Sequence, residues 1–376
     1  MYPKVRFRGF DEPWKNKKFL TFSSKITKNS TSDDIDFPRI EFENIVSGEG
    51  KLAQNRSKLN HIKSGIKFDK GDILFGKLRP YLKNWWLAEF PGVAVGDFWV
   101  IRAKDNRYFL YYLIQAPLFE KVSNYTTGTK MPRSDWNYVS NTFFKLPKID
   151  EQEKIGRILD KVDSLLSLQQ RKLELISALE KGLGQIIKQQ NNKYGITFSL
   201  NNFLEIPPQI QARIKNKNQL LTVKLNLQGL ARGVQRDTLS LGSTKYFIRH
   251  TGELIFGKQN IFNGSIALIT KEFDGLATSN DVPSLKISNI NPQFLFYLLK
   301  NPDFWKHTEL IATGTGSKRV HIHDLLKLHI KIIPDAKYQA KIVSLSRNFE
   351  KIVLNQQIIV KECEKTKQFL LQNLFI

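Results

Sequence analysis

Gly71-Asp72-Ile73-Leu74-Phe75-Gly76-Lys77 returns as Gly252-Glu253-Leu254-Ile255-Phe256-Gly257-Lys258, at an offset of 181 residues. Both glycines, the phenylalanine and the lysine are identical, and the positions between them are conservatively replaced. The echo continues in order. Asn106, Phe109-Leu110-Tyr111-Tyr112-Leu113 and Pro117 answer to Asn291, Phe294-Leu295-Phe296-Tyr297-Leu298 and Pro302 at offset 185. Thr127-Gly128-Thr129 and Arg133 match Thr313-Gly314-Thr315 and Arg319 at 186, and Gln152, Lys154 and Ile155 match Gln339, Lys341 and Ile342 at 187. The chain is a tandem duplication of a unit far longer than the repeats of roughly 20 to 50 residues that build solenoids. Each copy is therefore a domain with a connecting element.

Within each copy the first part reads as short strands punctuated by Gly and Pro, as in Gly92-Val93-Ala94-Val95 and Phe98-Trp99-Val100-Ile101, and residues 106 to 121 of the first copy read as helical. This predicts a mixed α/β (α+β) domain. Asn106 is an expected N-cap, and Phe109, Tyr112 and Leu113 form an apolar face repeated at Phe294, Tyr297 and Leu298, which reads as core.

Each copy closes with a long heptad pattern after Pro147 and after Pro334. In the first, Ile155, Leu159, Val162, Leu166, Gln169, Leu173 and Ile176 step by four and three; in the second, Ile342, Leu345, Phe349, Ile352, Gln356 and Ile359 are expected to do the same. Gln169 and Gln356 fall at the same level of the repeat, and polar seam residues fix register. A long helix with a single apolar stripe needs a partner. The expected arrangement is an antiparallel coiled coil between two globular ends, a dumbbell, with domains at 1–148 and 191–335 and spacer helices at 149–190 and 336–376.

The 376 residues include 58 Lys plus Arg against 35 Asp plus Glu, a formal net charge of +23, which concentrates polyanions around the protein and points to nucleic acid. An anionic membrane is the weaker reading. No stretch approaches the ~18 consecutive apolar residues of a spanning helix, and the start runs into Asp11-Glu12 without a signal-type apolar segment, so a cytoplasmic protein is expected. A single cysteine, Cys363, leaves no internal disulfide and no multi-cysteine zinc site.

Catalytic patterns are missing from the sequence. Asn291-Pro292-Gln293-Phe294 lacks the second proline of an amino-methyltransferase motif, Pro334-Asp335 lacks the Glu-x-Lys of a nuclease, and there is no Walker loop. His321-Ile322-His323 has no companion ligands at metal spacing and reads as surface. No metal site is expected. Binding chemistry is better represented. Lys77, Arg79 and Lys83 interleave with Tyr81 and Trp85-Trp86 after the first repeated strand, and Lys258, Gln259 and Asn260 follow the second. Cations suit phosphate, whereas Gln and Asn can read adenine through a paired donor and acceptor. The glycine-centred loops supply Thr127, Lys130 and Arg133 in one copy and Thr315, Ser317, Lys318 and Arg319 in the other, suited to close backbone approach to phosphate.

The opening Pro3-Lys4-Val5-Arg6-Phe7-Arg8-Gly9-Phe10 with Trp14, the Lys70-Gly71-Asp72-Ile73-Leu74-Phe75 strand, the Leu146-Pro147 to Glu151-Gln152-Glu153-Lys154-Ile155 junction and the duplication together resemble the specificity (S) subunits of Type I restriction-modification systems. The resemblance covers essentially the whole chain. It implies two target-recognition domains, each reading one half of a split sequence in double-stranded DNA, with the coiled coil setting the unread gap. It also implies docking to two modification (methyltransferase) subunits and, in the full complex, two ATP-dependent restriction subunits. The cofactors S-adenosylmethionine, ATP and Mg2+ would belong to those partners, and this chain would be non-catalytic with none of its own. The second junction departs from the pattern, with Ala336-Lys337-Tyr338-Gln339-Ala340-Lys341-Ile342 in place of the acidic form. A specificity subunit of a Type IIB-like system and a basic coiled-coil scaffold are the alternatives to this reading.

Overall fold

The computed structural model describes residues 2–31, 34, 36–53, 63–127, 131–234 and 244–376. The chain divides into two compact units, Met1–Lys172 with Gln356–Ile376, and Leu173–Asn355.

In the first unit the repeated stretch forms the strand Ile73–Gly76, all four residues buried. Gly71 enters it at φ +94°, the left-handed conformation that glycine adopts without strain. The strand lies inside a four-stranded antiparallel sheet in the order Ser23–Ile26, Phe98–Ala103, Ile73–Gly76, Trp85–Leu87. The register sets Phe75 between Trp99 and Trp85. Phe75 stacks on Trp99 at 5.5 Å between ring centroids and meets Phe119 edge-on at 5.6 Å. Trp85 and Trp86 are 7% and 1% exposed, so both indoles are core. A Cβ on Gly76 would sit 2.7 Å from Phe42 Cε2 and 3.1 Å from the Asn84 carbonyl oxygen, which is why only glycine fits there.

The second unit repeats the order with Leu204–Glu205, Ser284–Ile287, Leu254–Phe256 and Ile266–Leu268. A smaller mixed sheet accompanies each. In the first unit Gly92–Ala94 pairs parallel with Arg39–Ile40 and antiparallel with Ile66–Phe68, and Asn29 bridges to Ile66. In the second, Tyr246–Ile248 pairs antiparallel with Ala277–Ser279 and with Gln211–Ala212, and Leu220 bridges parallel to Ala277. The connectivity is the same.

The helix Arg107–Gln115 begins where the Asn106 side chain accepts from the Phe109 amide at 2.9 Å. Its counterpart Pro292–Leu299 begins where Asn291 accepts from Gln293 and Phe294. Phe109, Tyr112, Leu113, Phe294 and Leu295 are buried. Burying each such side chain contributes about 1.5–3 kcal/mol.

Two long helices span Ile149–Tyr194 and Ala336–Asn373. The first unit holds the N-terminal part of one and the C-terminal part of the other. There Gln356, 2% exposed, donates to the Gln169 side-chain oxygen at 2.7 Å and to its carbonyl at 3.0 Å. Lys367 pairs with Asp163 at 2.8 Å, and the Tyr112 hydroxyl donates to the same carboxylate at 3.1 Å. Residue 356 meets 169 and residue 367 meets 163, so these segments run antiparallel. Ile155, Leu159, Leu371, Leu374 and Phe375 join the core of the same unit. In the second unit Ile187, Ile342 and Val343 share a core with Phe294 and Leu295. Each long helix thus also packs on the domains it serves.

The seam of the first helix follows the expected residues, all buried or half-buried. The second requires a correction. Ile352 and Ile359 are 47% and 43% exposed, and the inward line runs Ile342, Ser346, Phe349, Val353, Gln356, Val360, Cys363, Lys367, Leu370 and Leu374. The fixed points Phe349, Gln356 and Cys363 leave a choice of flank between them, and the helix turns its less apolar flank inward. Among the described residues no helix is long and apolar enough to cross a membrane.

Candidate nucleic-acid interface

The loop after the strand Ile73–Gly76 is clamped against the segment that ends the glycine-centred loop. The Arg79 amide donates to the Pro132 carbonyl at 2.8 Å, the Ser134 amide to the Lys77 carbonyl at 2.9 Å, and Leu78 bridges to Arg133. Two stretches more than fifty residues apart in sequence become one surface carrying Lys77, Arg79 and Arg133. A third contributor, Asp97, carries no sequence signature of its own. The Lys77 amide donates to the Asp97 carbonyl at 2.9 Å. The carboxylate takes hydrogen bonds from Arg133 Nη2 at 3.0 Å and Nε at 3.3 Å, with Lys77 Nζ at 3.5 Å. The hydrogen bonding of Arg133, then the charges of Arg133 and Lys77, hold the Asp97 carboxyl below the usual carboxylate range against the opposing effect of desolvation.

Arg79 is exposed at φ +49°, and with Tyr81 it forms the outer lip of the loop. Lys83, also left-handed at φ +57°, is turned aside to Glu120 at 2.9 Å. Of Thr127 only the backbone is described, paired with Arg133. Lys130 lies outside the described residues.

The second unit builds the same cluster from different neighbours. The Lys258 amide donates to the Asp281 carbonyl at 2.8 Å and the Val320 amide to the Lys258 carbonyl at 2.8 Å, matching the Lys77 bonds. Arg319 approaches Asp281 at 3.8 Å. The Gln259 amide, oriented by its hydrogen-bond network, offers its oxygen to Arg319 Nη2 at 2.8 Å and Nε at 3.0 Å. Asn260 is exposed and accepts from the Asn263 side chain at 3.3 Å within the turn. Thr315, Ser317 and Lys318 lie exposed on a loop closed by paired backbone bonds between Thr313 and Arg319 at 2.9 and 2.8 Å. Lys318 is engaged with Glu309 at 2.8 Å. The structure therefore gathers Lys258, Gln259 and Arg319, and sets Asn260, Thr315, Ser317 and Lys318 around them.

Sequence reasoning missed Asp97 and Asp281. Their separation of 184 falls between the offsets of the repeats that flank them, so the register of the duplication could have found them.

At one interior position a cation in the second copy replaces an apolar residue of the first. Arg249, 1% exposed, stands 181 residues after the buried Phe68. It donates to Thr278 at 2.7 Å, Gln209 at 3.3 Å and Ser284 at 3.4 Å, and burial pushes its pKa down to about 10.

The comparisons with known proteins agree with this layout. Residues 14–178 match the family described as Type I restriction modification DNA specificity domain. The chain is similar to the Type I restriction enzyme MjaVIII specificity subunit of Methanocaldococcus jannaschii, with 21% identity over 298 residues, 70% of this chain and 68% of that protein. It is also similar to the Type I restriction enzyme EcoDI specificity subunit of Escherichia coli, with 26% identity over 121 residues, 31% of this chain and 27% of that one. The fold matches the crystal structure of a Type-I restriction-modification system S subunit from M. genitalium, with a TM-score of 0.64, 11% identity and coverage of 100% of this chain and 99% of that one. A chain from a structure on complex assembly and conformational transition of the type I R-M system aligns at a TM-score of 0.53 with 17% identity, covering 97% of this chain and 98% of the other.

Proposed function

We infer, for a chain whose residues 14–178 match the family described as Type I restriction modification DNA specificity domain, that each globular domain reads one half of a bipartite target in double-stranded DNA. The observation that carries the reading is the cluster built twice at one topological position: Lys77, Asp97 and Arg133 in one unit, and Lys258, Asp281 and Arg319 in the other. Cations kept in place while their neighbours diverge are what two reading heads with different targets require. Phosphate contacts position a protein on the duplex, and base-edge contacts specify the sequence. Arg79 and Tyr81 flank one cluster, and Gln259 and Asn260 flank the other.

The chain acts as a non-catalytic subunit, in the cytoplasm, and the two long helices set the distance between half-sites and dock two modification subunits. Exposed apolar residues on the first long helix support the docking: Leu165 and Leu168 in the first unit, and Leu175, Leu179 and Ile186 in the second. Exposed apolar groups that recur along one element mark interaction surfaces. S-adenosylmethionine, ATP and Mg2+ serve the modification subunits and two restriction subunits of the assembly. Selection of bound duplexes from a random library by the full chain with its modification subunit tests the reading. Recovered sequences should share two defined blocks, and recovery of sequences without any shared block would refute it.

A further inference from the structure

We propose that Asp97 and Asp281 are internal competitors of DNA phosphate. With no duplex bound, Asp97 holds Lys77 and Arg133 and Asp281 holds Arg319; each carboxylate yields its partners when a duplex binds, which lowers affinity for arbitrary DNA. The inference rests on reading the two clusters as duplex-contacting surfaces.

Three observations carry it. Both aspartates sit in the register of the duplication, although Val95-Gly96-Asp97-Phe98 and Asn280-Asp281-Val282-Pro283 share little else. Both are fixed by the same backbone bond, from the amide of the lysine that follows the repeated Phe-Gly to the aspartate carbonyl, at 2.9 and 2.8 Å. And both carboxylates face the arginine that closes the glycine-centred loop, at 3.0 Å in the first unit and 3.8 Å in the second. A carboxylate and a phosphate offer a guanidinium the same two-oxygen edge, so the ligands are alternatives for one site.

The pairs are built to be broken. Arg133 is 46% and Asp97 28% exposed, and Arg319 and Asp281 are 45% and 55% exposed. Ion pairs in contact with water are weak and screened by salt. A duplex offers one negative charge per roughly 1.7 Å of axis, so a correctly seated phosphate backbone displaces a lone carboxylate. A backbone that passes at the wrong distance meets a neutralised cluster and gains little. The second pair is looser, and Gln259 already shares Arg319, so Asp281 has less to withhold than Asp97.

The test is binding of the full chain to a random-sequence duplex, followed by fluorescence anisotropy across a range of salt, for the parent, Asp97→Asn, Asp281→Asn and the double variant. Asparagine keeps the backbone bond and the shape and removes the charge. Asp97→Asn is expected to bind random duplex about twofold to tenfold more tightly, with a log–log salt slope steeper by about 1, because freed cations now neutralise phosphate directly. Asp281→Asn should move the same way by a smaller factor, and it provides an independent reading in the other unit should Asp97→Asn fold poorly. Unchanged or weaker binding with an unchanged slope in the folded variants would overturn the proposal and leave the carboxylates as braces for the arginines. A parent that binds no duplex would instead overturn the interface reading itself, and that is seen before any variant is measured.

Discussion

Lys77 and Arg79 occupy one loop but have different surroundings. Lys77 is half-buried beside Asp97, whereas Arg79 projects from a left-handed residue. If both act on phosphate as proposed, replacing both with alanine should weaken binding to every duplex alike and shallow the salt slope by about 1 to 2. Replacing Gln259 or Asn260 should instead relax one half-site by about 1–3 kcal/mol per lost base contact, measured against a panel of single-base variants; equal loss on all sequences would reassign them to the backbone. Asp97 titrates below the ordinary carboxylate range because Arg133 hydrogen-bonds its charged form. A depressed pKa gives a contribution that is complete above the unfolded carboxylate's range and is lost as pH falls through the lowered value. The cluster should therefore behave identically across the neutral range, and a binding curve that bends there would point to another titrating group. Lys77 and Arg133 could be picked out from the sequence because charge and repetition mark them. Asp97 is passed over because an aspartate after a glycine reads as an ordinary turn residue, and only following the register of the duplication through to Asp281 marks it.

The strand Ile73–Gly76 tolerates no addition at its end. Gly76→Ala would press a methyl against Phe42 and the Asn84 backbone, at a cost of about 1–3 kcal/mol seen as a lowered melting temperature; an unchanged melt would mean that the loop after the strand can shift freely. The long helices pose a different problem. Heptad spacing fixed the inward line of the first helix, but on the second it pointed to Ile352 and Ile359, the more apolar flank, while the fold half-buries Val353 and Val360 on the line of Gln356 and Lys367. Hydrophobicity is only one determinant of a seam. The hydrogen bonds of Gln356 to Gln169 and the ion pair of Lys367 with Asp163 set the rotation, and a search for apolar residues passes over a seam lysine. Lysine at 352 or 359 should change stability by no more than about 0.5 kcal/mol, as exposed substitutions do. Lysine at 353 or 360 should cost about 1 kcal/mol or more by replacing half-buried apolar contact with a charge. Thermal or urea melts that rank the four the other way would restore the expected seam.

At the scale of the molecule, the duplication was legible because long stretches recur in order, and it carries the topology with it: four-stranded sheet, mixed sheet, capped helix and clamped loop appear once in each unit. What differs between the copies is chemistry at a few positions, such as Arg249 in the place of Phe68 and Tyr338 in the place of Glu151. Glu151 is 1% exposed and bound to Arg6 at 2.8 and 2.9 Å, so the first junction is locked by an N-terminal segment that the second copy lacks. Arg6→Ala would strand that buried carboxylate and is expected to cost about 3–5 kcal/mol, read as loss of the first unit's cooperative unfolding. A formal charge of +23 for the whole chain attracts polyanions without regard to sequence, so under the proposed reading selectivity has to come from the two clusters and their flanks.

The central claim is that two reading heads on one chain recognise one split target. Mapping methylated adenines across the genome of cells that carry this chain with its modification subunit tests that most directly. The account predicts two short defined blocks separated by a fixed unread gap, with substitutions at Gln259 or Asn260 altering one block only. A single continuous motif, or no methylation beside a demonstrably active modification subunit, would contradict it.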